Sequence, residues 1–136
     1  MSRKSETGKI KLAALLLLLL FIVSGCSGGF SNSVTLAREY NTPSSLSMSY
    51  MKFNGSKMGE FLHVPEGKTV EIRTAVVTEG GELSIIISRD NKSGEVVYRA
   101  DNIKTSEFTI TISGKGDYII WFEAKDHKGA YSLQWH

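Results

Sequence analysis

The chain has 136 residues, with sixteen Lys or Arg against fourteen Asp or Glu, a formal charge of +2, and a single cysteine. A balance that small, with no basic block beyond the first eleven residues, argues against a nucleic-acid partner, whose binding needs a concentrated positive face. One cysteine also excludes an internal disulfide framework.

Residues 1–11, MSRKSETGKIK, set Arg3, Lys4, Lys9 and Lys11 against Glu6 alone, as in the positive segment that stays cytoplasmic during export. Leu12 to Val23 then carry neither charge nor polar side chain. As a helix this run reaches about 18 Å, short of the ~20 residues needed to span a bilayer. Leu15 to Leu20 are all leucine, so the helix is apolar on every side and cannot be a core helix with a wet face.

The run ends in Val23-Ser24-Gly25-Cys26, which resembles the lipobox of bacterial lipoproteins. That resemblance implies cleavage between Gly25 and Cys26, a diacylglyceryl thioether on Cys26, and Cys26 as the mature N-terminus. Two acyl chains on one residue hold durably, because each buried methylene contributes about 0.8 kcal/mol and a single chain binds only marginally. The expected organisation is a signal helix over 1–25, a lipidated Cys26 with a Gly/Ser-rich tether over 26–33, and a domain over 34–136, at the extracytoplasmic face of the cell membrane. Removing the signal leaves twelve bases and thirteen acids, a net charge of −1.

From Val34 onward, apolar residues alternate with polar ones at period two, the signature of short antiparallel strands. The segments in order are Val34 to Tyr40, Leu46 to Tyr50, Phe61 to Val64, Val70 to Val76, Leu83 to Ile87, Val96 to Tyr98, Phe108 to Ile112, Tyr118 to Phe122 and Tyr131 to Trp135. Turn chemistry separates them at Asn54-Gly55, Pro65 to Lys68, Glu79 to Gly81, Asp90 to Gly94, Gly114 to Asp117 and Asp126 to Gly129. Asp101 to Glu107 is too polar for a strand and reads as a loop. The pattern predicts an all-β fold, an antiparallel β-sandwich or jelly roll of about eight or nine short strands; a closed barrel is the alternative.

Gly80-Gly81-Glu82-Leu83, Gly94-Glu95-Val96-Val97-Tyr98, Gly116-Asp117-Tyr118 and Lys128-Gly129-Ala130-Tyr131-Ser132-Leu133-Gln134-Trp135 give a layout that resembles small Gram-positive surface lipoproteins with a jelly-roll domain like the bacterial pre-peptidase C-terminal domain. It is similar, more weakly, to GOLD-type sandwiches. The resemblance implies an accessory or binding module and brings no catalytic residues.

The residues themselves agree with a non-enzyme. His63, His127 and His136 have no metal-ligand spacing, and Asp90 to Glu95 misses the calcium-loop pattern because Lys92 and Gly94 fall where ligands belong. No G-x-S-x-G elbow occurs, and Glu123 and Asp126 read as turn charges, so no catalytic residue, metal or cofactor is expected. The candidate ligand contacts are aromatic. Trp121, if outward, would join Tyr98 or Tyr50 in a sugar-stacking platform; the competing expectation places Trp121 in the core. The expected function is a lipid-anchored, non-catalytic binding module of the cell envelope, with the membrane as one partner through Cys26 and an envelope protein or a glycan as another. A carbohydrate-binding module and an accessory domain regulating an envelope enzyme are the alternatives.

Overall fold

Alternating small polar and large apolar residues run through three stretches long enough to build most of the molecule. The computed structural model describes residues 32–136, in which all seven regular elements are strands. They are β1 (Ser33–Thr35), β2 (Arg38–Thr42), β3 (Ser45–Val64), β4 (Thr69–Arg89), β5 (Val96–Ala100), β6 (Ser106–Ser113) and β7 (Gly116–Trp135). Every pairing is antiparallel. β7 lies between β3 and β4, which it accompanies along almost their whole length, from Ser45↔Gln134 to Val64↔Gly116 and from Ile72↔Trp135 to Arg89↔Tyr118.

These three strands cross both layers of a sandwich. Phe122 and Tyr131 are nine residues apart on β7, a separation of about 30 Å in an extended strand, yet their rings stack with centroids 4.0 Å apart. The strand must fold back between them. Its neighbours bend alongside, at register shifts between Tyr50 and Gly55 on β3 and between Thr78 and Glu82 on β4. Layer one therefore contains β2, the first part of β3, the second part of β7, the first part of β4, and β6. Layer two contains the remaining parts of the long strands and β5.

Period-two alternation turns one side chain in two toward the space between the layers. Leu46, Met48, Tyr50, Ile72, Val76, Ile110 and Leu133 face inward from layer one; Leu62, Leu83, Ile85, Ile87, Tyr118, Ile120 and Phe122 face them from layer two, all buried in one cluster. Each large apolar side chain so buried contributes about 1.5–3 kcal/mol, which makes this cluster the main source of stability.

The antiparallel sandwich of jelly-roll type expected from the sequence is present, with two corrections to its parts. Eight of the nine alternating segments lie within single strands, whereas Val34 to Tyr40 is broken at Leu36 and Ala37 into β1 and β2. Asn54-Gly55, Glu79 to Gly81 and Asp126 to Gly129 are bends inside continuous strands, so three pairs of segments merge and the elements number seven. The bends keep cross-strand pairing because glycines and Asp126 adopt positive φ there, 105° at Gly55, 71° at Gly81, 49° at Asp126 and 147° at Gly129. The loop expected from Asp101 is shorter, since Ser106 and Glu107 already pair with Val76 and Ala75. Within it, buried Ile103 plugs the bent end of the core and donates its N–H to Leu83 O at 2.9 Å. At the opposite end lie the β3–β4 and β6–β7 turns, joined by Lys115 with Glu66, and the Arg89 guanidinium at the end of β4 donates to Lys115 O at 3.2 Å. The expected signal, the lipobox-like Val23 to Cys26 and most of the expected tether lie outside the described residues, and Ser33 is already part of β1.

Candidate functional site

The three aromatic residues singled out by sequence are not brought together. Tyr50 is buried in the core, its hydroxyl on His127, and Tyr98 packs half-buried against the same cluster. Trp121 lies on the opposite, outer side of layer two, only 6 % exposed, in a small cluster with Ile86 and Ile119. Its indole N–H donates to Ser88 Oγ at 3.1 Å, and Lys92 Nζ caps the ring at 4.6 Å while donating to Ser56 Oγ at 2.6 Å. Trp121 is therefore buried, though in this outer cluster and not in the core between the layers, and the stacking platform does not form, because Lys92 occupies the face a sugar would need. Replacing Lys92 by Ala removes a contact worth less than about 1 kcal/mol and wets the ring, so tryptophan emission should move to the red with the melting temperature little changed.

The remaining candidates are dispersed. His63 is exposed beside Asp117 at 2.7 Å, Glu123 pairs with Arg99 at 3.4 Å, and Asp126 pairs with Lys52 at 3.3 Å. Asp90 to Gly94 is a polar turn in which Asn91 Oδ1 accepts the Ser93 N–H. Among the described residues no group of three His, Cys, Asp or Glu is placed to hold a metal ion.

His127 is the exception, fully buried at the bend of β7. Its Nδ1 lies 2.6 Å from the Tyr50 hydroxyl and its Nε2 lies 2.8 Å from Thr78 Oγ1, which is 2.7 Å from Ile103 O. A carbonyl only accepts, so the Thr78 hydroxyl donates to Ile103 and must accept from His127 Nε2–H. Nδ1 then accepts from Tyr50. The chain of bonds runs one way, through neutral imidazole, and ties β3, β7, β4 and the β5–β6 connection. Burial lowers the His127 pKa below its ordinary value and raises that of Tyr50.

A concave surface forms instead on the outer side of layer one. Cross-strand register places three rows side by side: Tyr40, Ser47, Ser132, Ala75 and Glu107; Arg38, Ser49, Ala130 and Val77; and Ser45, Gln134, Arg73 and Thr109. Wherever β3, β7 and β4 face outward near the middle, the side chain is small, so the floor is Ser47, Ser49, Ser132, Ala130 and Ala75. Larger residues on the flanking strands stand above it. The result is two contiguous depressions of about 430 and 390 Å³ that share Ala75 and Ser132, crossing five strands, or about 19 Å at the usual interstrand spacing.

The walls are chemically mixed. Tyr40 is 71 % exposed on β2, and the Ser47 hydroxyl holds that strand by donating to Tyr40 O at 3.0 Å. Asn41 donates to Glu39 at 2.7 Å, and this bond first, then Lys57, holds the Glu39 carboxyl below the usual carboxylate range. Arg38 and Arg73 enter none of the ion pairs formed among the described residues, which leaves both guanidinium groups available. The groove depends on register, which sequence reading does not supply. Its faint trace is small residues at the alternate positions Ser47 and Ser49, Ala130 and Ser132.

No family model matches the chain, and no curated protein matches it; the pre-peptidase and GOLD resemblances thus rest on their motifs alone. Among solved structures the chain is similar to a carbohydrate-binding module from Cellvibrio mixtus lichenase 5A in complex with cellotriose, at 14% identity over 76% of this chain and 86% of that one, with a TM-score of 0.43. It is also similar to PirA, at 13% identity over 79% and 100% of the two chains with a TM-score of 0.42, and to the CBM22-1 xylan-binding domain from Paenibacillus barcinonensis Xyn10C, at 16% identity over 76% and 85% with a TM-score of 0.39. Likeness at this level transfers neither a ligand nor a residue.

Proposed function

We propose that this protein is a lipid-anchored module of the cell envelope that binds its ligand, without chemistry of its own, in the groove across layer one. The observation that carries the binding role is the matched row of small side chains on three adjacent strands, walled by Tyr40, Arg38, Arg73, Gln134 and Glu107. The lipobox-like Val23 to Cys26 carries the anchor.

A glycan is the occupant favoured more specifically, on one observation. Exposed Tyr40 offers a flat apolar face near the Arg38 guanidinium, with the Arg73 guanidinium, the Gln134 amide and the Glu107 carboxylate across the floor from it, the pairing of surfaces that sugar rings present. Ser132→Trp fills the middle of the floor at an exposed strand position, where substitutions cost within about 0.5 kcal/mol. On an array of envelope glycans the parent protein should bind and Ser132→Trp should not, with both equally folded by circular dichroism. Binding that survives the substitution removes the groove from the reading, and retention of an envelope protein in place of any glycan replaces the occupant. Mass spectrometry of the mature N-terminus tests the anchor, which an unmodified Cys26 would rule out.

A further inference from the structure

The chain enters the sandwich at its bent end. Asn32 Oδ1 accepts the Ser56 N–H at 3.0 Å, directly over Gly55, where any Cβ would fall 2.8 Å from Asn32 Cγ. β1 then pairs with Lys52 to Asn54 inside the bend of β3. Cys26 precedes Asn32 by six residues, a reach of at most about 20 Å.

Beside this entry the surface is apolar. Leu36 is 78 % exposed, Met51 52 % and Val77 45 %, and the three border one depression of about 360 Å³ over Gly129 and Ala130. Leu36 lies four residues beyond Asn32, within about 14 Å of the entry. A group of large apolar side chains held open in this way marks an interaction surface. Arg38 and Glu79 line it, Lys128 pairs with Glu79, and Lys52, next to Met51, pairs with Asp126, so its charge is close to balanced and attraction to an anionic partner is not what it offers.

We propose that Leu36, Met51 and Val77 are a membrane-docking patch, and that its occupant is the bilayer holding the acyl chains of Cys26. The proposal rests on the anchored reading above. A tether this short brings the bent end, and not the Glu66–Lys115 end, to the lipid, and the apolar side chains then sit at the boundary between headgroups and acyl chains. Docking closes the mouth of the groove near Val77 and leaves the part between Tyr40 and Arg73 open to the envelope.

The test uses the full-length lipoprotein in phosphatidylcholine vesicles. With Cys26 in a thioether, Leu36→Cys, Met51→Cys and Lys115→Cys each supply the sole free thiol for a bimane label. Lipids carrying a shallow nitroxide should quench and blue-shift the label at 36 and 51 but leave that at 115 unchanged, equally at low and high salt. Diacylated Cys26 with no quenching at 36 and 51 overturns the docking patch while leaving the anchor standing. A blue shift that follows protein concentration and not the nitroxide assigns the patch to a second copy and overturns the proposal as well. An unmodified Cys26 overturns both readings.

Discussion

Gly129→Ala should destabilise the domain by about 3 kcal/mol or more, a fall of at least about 12 °C in melting temperature for a domain of this size. Two effects act together. Gly129 has φ 147°, a conformation side chains rarely adopt, and a Cβ there would fall 1.9 Å from Val77 O and 2.8 Å from its carbonyl carbon. The obstacle is the backbone of β4, which cannot step aside as the end of a side chain could. Gly81 repeats the arrangement from the other strand, its would-be Cβ 2.1 Å from Asp126 O. The two bends thus nest, each glycine against the main chain of the other strand. Gly67→Ala is the control: φ is 69° but nothing lies within 4 Å, so only the conformational cost of about 1–2 kcal/mol applies. Thermal unfolding followed by circular dichroism separates the cases, and equal melting temperatures for the two variants would discard the nested-bend account.

Acid should weaken the fold through His127, with stability falling as pH drops below about 6.5. The direction follows from the lowered pKa of the folded state. Below the unfolded value the open chain takes up a proton that the folded protein still refuses. The stability present at neutral pH is therefore lost between the unfolded pKa and the lower folded one, at up to about 1.4 kcal/mol per pH unit for one proton. Burial is the cause, and the geometry is consistent with it: a proton on Nδ1 would meet the Tyr50 hydroxyl, which already donates there and is buried. Tyr50→Phe withdraws that donor and leaves Nδ1 buried without a partner, at a cost of about 1–3 kcal/mol at pH 7. Urea unfolding at pH 7.5 and pH 5 measures both effects. His127→Gln should flatten the pH dependence; a slope equal to that of the parent would assign the acid sensitivity elsewhere.

The amount of this legible in the sequence differs between strands and site. Alternation in Val70 to Val76 or Phe108 to Ile112 is a local property and carries through to buried, paired strands. Continuity through the bends is not local. Asn54-Gly55 and Gly80-Gly81 have the residues of a hairpin turn, and only pairing with β7 on the far side shows that the strand goes on. Trp121 illustrates a second limit, since its cover comes from Lys92 in a separate turn. The groove illustrates a third: Tyr40, Ser47, Ser132, Ala75 and Glu107 come from five strands and become one row only in register.

β7 follows β3 and β4 in the chain, yet it is the middle strand of both layers. Before Gly116 to Trp135 emerge, β3 and β4 have no common neighbour, and the pairing of Ser45 with Gln134 cannot begin. A topology dominated by such distant pairings folds slowly and late. Order along the chain thus acts as a delay: the part made before β7 lacks the strand that would let either layer close, and folding waits for Gly116 to Trp135.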